Sequence, residues 1–194
     1  MVATVDHKYY VDGVEVAGNT NALRAVGLGH GFGNEFDMQR GKNAHLATRL
    51  YDERRLDWTT VSTRIEPYLA GWIAFRKISG FEPVWIERAI YCKRYGFATR
   101  LDRMGWLNGR RVVIQIKTGG LDVSVGPQTA GEALAAQEVL GCPVDRFAVV
   151  LPGDRWFDLQ PLTSRADFPE FLSAVASWNY RRARGWDGRT SNSR

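Results

Sequence analysis

The 194-residue chain holds two cysteines, Cys92 and Cys142. They are too few for a disulfide scaffold and lack the C-x-x-C spacing of zinc or thioredoxin-like sites, so both read as free thiols. Near the start there is no apolar run of signal-peptide type. Nowhere does an uninterrupted apolar stretch reach the length of a membrane helix. The expected location is therefore the cytoplasm, with no membrane partner. What the chain does have is 44% hydrophobic residues, seven Trp, seven Tyr and nine Phe, enough apolar area for one well-buried core. Lys and Arg outnumber Asp and Glu by 26 to 21, giving a net charge of +5 and a pI near 9.4. That excess favours a polyanionic partner without requiring one.

Residues Lys8 to Val16, "KYYVDGVEV", alternate around Asp12-Gly13, a dipeptide suited to a two-residue hairpin turn. Thr20 is a plausible cap for a short helix, after which "GHGFGNEF" reads as a mobile glycine-rich connector. It lacks the preceding strand and the Lys-Ser/Thr ending of a phosphate loop. Apolar spacing through Ala44, Ala47 and Tyr51 predicts a helix from Gly41, with His45 in its first turns. A second helix is expected from a capping box at Thr63 and Glu66. Strands follow in "FEPVWIERAIYCKRYGFATRLDRMGW", then a helix between Pro127 and Gly141 and a strand, turn and strand in "RFAVVLPGDRWFDLQ". A last helix carries the stripe Phe168, Phe171, Leu172, Val175 and Trp178. With no repeat and no linker, residues 1–185 read as a single α/β domain, a central mixed β-sheet flanked by helices. Residues 186–194 read as a disordered basic tail.

Asn108-Gly109 is the strongest short hairpin signal in the chain. Counting outward from it places Asp102 opposite Gln115 and Arg100 opposite Lys117. Val112, Ile114 and Ile116 form an apolar set on the other strand face. Asp102, Gln115 and Lys117 thus share a face, and Glu87 is a candidate acid on a neighbouring strand. Such oxygens can hold Mg²⁺ or Mn²⁺, and an ammonium beside them can offset charge on a phosphate. On spacing alone, an Asp and a Lys on a hairpin most often form an ordinary surface pair.

Asp102, Gln115-x-Lys117 and Glu87 resemble the motif of the PD-(D/E)XK nuclease superfamily, in particular its RecB-type and phage exonuclease branch. "GKNAH" resembles that branch's histidine helix motif, "YGFATRLD" the approach to its catalytic Asp, "QIKTG" its "DIKTG" strand and "GPQTAGEA" its glutamine helix. The resemblance implies a restriction-endonuclease-like core and a metal-dependent DNA nuclease, an exonuclease or end-processing enzyme of phage or prophage type. By the same resemblance, Glu87, Asp102, Gln115 and Lys117 are catalytic and His45, Glu87, Asp102 and Gln115 ligate Mg²⁺ or Mn²⁺. The resemblance also has Gln128 orient the site or touch DNA, while the register that sets Arg100 against the like charge of Lys117 calls for an anion beside them, so Arg100 too is expected to orient the site or touch DNA. A phage recombination or single-strand-binding protein is a further expected partner, and the two cysteines exclude an iron–sulfur cluster. The chain departs from the pattern in three ways: Gln115 stands for the second acid, Glu132 for an aromatic residue, and "ATRLD" for "AGTLD". Loss of that acid lowers the expected metal affinity, so a nuclease-fold protein that binds DNA or a partner without cutting is the alternative.

Overall fold

A computed structural model describes residues 2–5, 8–28 and 35–185. Most of the glycine-rich connector, at 29–34, and the expected disordered tail at 186–194 lie outside the described residues. The opening hairpin forms as read: β2 (Lys8–Val11) turns into β3 (Val14–Gly18) through Asp12 and Gly13, both left-handed at φ 50° and 79°. A strand not anticipated from the sequence, β1 (Val2–Val5), pairs with β2.

The helix α1 (Asn19–Ala25) has Gly18, not Thr20, at its cap position. Helix α2 (Glu35–Asp52) begins ahead of the expected Gly41. Glu35 and Asp37 suit the positive end of the helix dipole, and Asp37 pairs with Arg40 at 2.8 Å. Helix α3 (Glu66–Ser79) does not use Thr63 as its cap. Proline explains this: with Thr63 as cap, Pro67 would fall where the first intrahelical N–H is needed, whereas a start at Glu66 puts it in the unbonded first turn.

Strands β4 (Glu82–Cys92), β5 (Phe97–Leu107) and β6 (Arg110–Lys117) precede α4 (Val125–Leu140). Then come β7 (Asp145–Val150), β8 (Asp158–Pro161) and α5 (Asp167–Ala183). The eight strands form a mixed sheet in the order β1-β2-β3-β5-β6-β7-β8, with β4 also pairing to β5. The β5–β6 register is the one counted from the turn, from Leu107 opposite Arg110 to Arg103 opposite Ile114. On one sheet face Met104 and Val113 pack with Ala130 and Ala133 of α4 and Phe171 of α5. On the other, Val112, Ile114 and Ile116 pack with Trp72 and Phe75 of α3. No helix among the described residues is long and apolar enough to cross a membrane.

Candidate metal centre

The centre sits where the sheet forks. Strand β4 occupies one edge of β5 from Phe97 to Trp106, so β3 and β6 must share the other. There β3 pairs with Phe97 and Ala98, while the β6 ladder ends at Arg103–Ile114. Beyond that point side chains replace ladder bonds. Asp102 Oδ2 accepts the Ile116 N–H at 2.9 Å and Gln115 Nε2 at 2.7 Å. Asn19 Nδ2 donates to Thr99 Oγ1 at 3.2 Å and to the Gln128 carbonyl at 2.8 Å. Asp102 and Gln115 therefore meet as the register predicts. Arg100, however, is exposed and outside the β5–β6 ladder, so it is not held opposite Lys117.

Glu87 takes φ 47° inside β4, between Ile86 and Arg88, which pair normally with Arg103 and Leu101. A left-handed conformation in a non-glycine strand residue costs about 1–3 kcal/mol and persists only when its surroundings hold it. Here the surroundings are Arg103 Nη1, at 3.5 Å from Glu87 Oε1, and His45. His45 reaches over from α2, with Nε2 3.0 Å from the Ile116 carbonyl. A carbonyl only accepts, so this contact puts the proton on Nε2 and leaves the Nδ1 lone pair facing the acids. Nδ1 lies 3.6 Å from Asp102 Oδ1 and 3.9 Å from Glu87 Oε1. One atom from each of the three residues lies within 4.8 Å of the others. An ion about 2.1 Å from each ligand sets neighbouring ligands roughly 3–4 Å apart, so this one-nitrogen, two-oxygen set fits a small divalent cation.

Charge is concentrated here. Burial alone would depress the His45 pKa, yet the Asp102 and Glu87 carboxylates outweigh it and raise the imidazole above its ordinary value. Burial raises Asp102, against the pull of His45. Glu87 goes the other way: burial would raise it, but His45, Arg103 and Arg100 hold it below the usual carboxylate range.

A chain of amides leads away from the acids. Lys117 Nζ donates to Gln128 Oε1 at 3.3 Å, Gln128 Nε2 donates to Gln115 Oε1 at 3.1 Å, and Gln115 Nε2 donates to Asp102 Oδ2. An ammonium has no acceptor, so it takes the Gln128 oxygen and favours one sense for the amides down the line. Gln115 thus meets Asp102 with its nitrogen, and its oxygen is turned to Gln128.

Behind the centre lies a buried cluster to which the sequence reading assigned no role. Arg103, fully buried, donates through Nε to Asp52 Oδ2 at 2.7 Å, through Nη1 to the Asp102 carbonyl at 2.6 Å and through Nη2 to Thr48 Oγ1 at 3.2 Å. Asp52 also accepts from Trp72 Nε1 at 3.1 Å and from Arg76. The alternation of β5 carried a signal: Arg103 falls on the face of Ile114, where an unpaired charge would be untenable. The structure brings together His45, Glu87, Asp102, Gln115, Lys117 and Gln128. An open cleft of about 670 Å³ runs past His45, Glu87 and Lys117, bordered by the basic residues Arg24, Lys42 and Arg49.

No family model matches the chain, and no curated protein matches it. Among solved structures, a protein of Eubacterium rectale named "putative exonuclease" is similar over 78% of this chain and 69% of its own, at 12% identity and a TM-score of 0.53. That likeness extends to the fold. A second, SSO0001, overlaps 82% of this chain and 84% of its own at 14% identity, but its TM-score of 0.33 carries no argument.

Proposed function

We propose that the chain is a divalent-metal-dependent deoxyribonuclease of exonuclease or end-processing type that uses Mg²⁺ or Mn²⁺. The observation that carries this reading is the placement of His45 Nδ1, Asp102 Oδ1 and Glu87 Oε1 within ion-holding distance, with His45, Glu87 and Lys117 lining one basic cleft. A divalent cation in such a site supplies Lewis acidity toward a phosphate oxygen and a lowered pKa for water. The protein's own groups do the rest. His45, Glu87 and Asp102 hold the cation, and the Ile116 backbone orients two of them at once, its N–H on Asp102 and its carbonyl on His45. Lys117 stabilises charge developing on the phosphate under attack. Arg24, Lys42 and Arg49 bind the backbone of the strand, and Gln115 and Gln128 keep Asp102 and Lys117 in place. DNA is the partner, and a recombination or single-strand-binding protein would deliver it.

The sense of Gln115 favours a second reading. Its oxygen is taken by Gln128, so the centre holds two carboxylates among the described residues, and weak metal binding would leave a protein that binds DNA without cutting it. End-labelled linear and closed circular DNA, incubated with Mg²⁺, Mn²⁺ or chelator, separates the two. Metal-dependent loss of label from linear DNA alone supports the exonuclease. DNA binding that weakens steeply with salt, with no cleavage in either metal, supports the second reading.

A further inference from the structure

Glu132 lies one helical turn beyond Gln128 on α4, and the reaction as drawn above makes no use of it. It is 1% exposed, its Oε1 lies 3.5 Å from Gln128 Nε2, and its Oε2 has no partner among the described residues. A buried carboxyl with an unpartnered oxygen is costly, and an apolar side chain in its place would avoid that cost. Its position shows what it contributes. The Gln128 amide is nearly symmetric in shape, so its sense depends on what faces each end. Lys117 can only donate and faces the oxygen, while Gln115 Oε1 and Glu132 Oε1 accept at the nitrogen. Reversing Gln128 would set its NH₂ group against an ammonium and its carbonyl against the Glu132 oxygen. Gln115 would then be free to reverse as well, withdrawing its N–H from Asp102.

We propose that Glu132 is a positioning residue which, acting through Gln128, locks the sense of the Lys117–Gln128–Gln115 chain. The lock keeps Gln115 Nε2 on Asp102 Oδ2 and aims Asp102 Oδ1 at the cation. The proposal rests on the metal reading above and deepens it. It also accounts for two of the three departures together: Lys117 sets the direction from one end, and an acceptor at 132 secures it from the other, so a glutamine at 115 keeps a fixed direction.

The test is the affinity of the full chain for Mn²⁺ alone, measured by calorimetry, beside the Tm of each metal-free variant. Glu132→Leu and Glu132→Met, two apolar replacements that guard against one failing to fold, are expected to raise Tm by about 2–4 °C. Both should weaken Mn²⁺ binding about 10–100-fold, the usual cost of losing a group that orients a ligand. Glu132→Gln retains a carbonyl acceptor and is expected to bind Mn²⁺ like the native protein. In a Gln128→Leu background, Glu132→Leu should cause no further loss. Native Mn²⁺ affinity in both apolar variants overturns the proposal, as does a loss that tracks a fall in Tm or persists at full size without Gln128. Absence of Mn²⁺ binding by the native chain overturns the metal reading itself, and this proposal with it.

Discussion

Replacing Arg103 with Met tests whether the buried cluster holds the centre from behind. The substitution removes the Nε contact to Asp52 at 2.7 Å, the Nη2 contact to Thr48 and the Nη1 contacts to the Asp102 carbonyl and Glu87. Breaking a buried ion pair from one side costs about 3–5 kcal/mol, because the remaining charge is left without compensation. Asp52, whose side chain is fully buried, would still have Trp72 and Arg76, which argues for the lower end, about 3 kcal/mol. In a domain of this size that corresponds to a fall in Tm of roughly 6–12 °C. Arg103→Lys keeps the charge but not the planar fork that serves Asp52, Thr48 and Asp102 together, so it should fall between Met and native. Thermal unfolding followed by circular dichroism measures both, and Mn²⁺ affinity should drop in parallel as Glu87 loses its anchor. A loss below about 1 kcal/mol for Arg103→Met would refute the reasoning, since that is the scale of an exposed pair.

Gly131→Ala should destabilise by about 1–3 kcal/mol in urea titration, because an added Cβ would sit 2.5 Å from the Phe171 ring; an isolated helix would gain from the same change. Burial first, then the negative charges of Asp102 and Glu87, raise Glu132 well above the ordinary carboxylate range, against the opposing pull of Lys117 and of the Gln128 hydrogen bond. A carboxyl raised on folding contributes stability at low pH that is lost as pH rises, so the Tm advantage of Glu132→Gln should be absent near about pH 4 and grow toward neutrality. A constant advantage across that range would contradict it. Burial, followed by the Glu138 carboxylate at 3.0 Å, pushes the Cys92 thiol up to about 12. In the native protein a disulfide reagent at about pH 8 should therefore modify Cys142 and spare Cys92, and Cys142→Ser should abolish the fast reaction.

Local chemistry made much of this fold legible. Asn108-Gly109 set a register that the structure repeats residue for residue to Arg103–Ile114, and Gly141 ended a helix that runs from Val125 to Leu140, with Pro127 in its first turn rather than at its start. The misses came where non-local contacts decide. Counting cannot show that Asp102 takes the Ile116 N–H and opens the ladder, so Arg100 was wrongly set against Lys117. Glu87 was legible as an acid but not as a left-handed residue, because its strain is sustained by Arg103 and His45 from other elements. Gln115 was read as an oxygen donor to metal because amide sense follows from the ammonium at the far end of a chain that folding assembles. Glu132 was visible as an odd residue, and its role could be argued only once its partners were in place.

The central claim is that His45, Glu87 and Asp102 hold a divalent cation. An anomalous-difference map from Mn²⁺-soaked crystals tests it most directly. The account predicts one peak about 2.0–2.3 Å from His45 Nδ1 and from an oxygen of each carboxylate, absent from crystals of Asp102→Asn. A map with no peak between these three residues, at Mn²⁺ concentrations that saturate binding in solution, would contradict it.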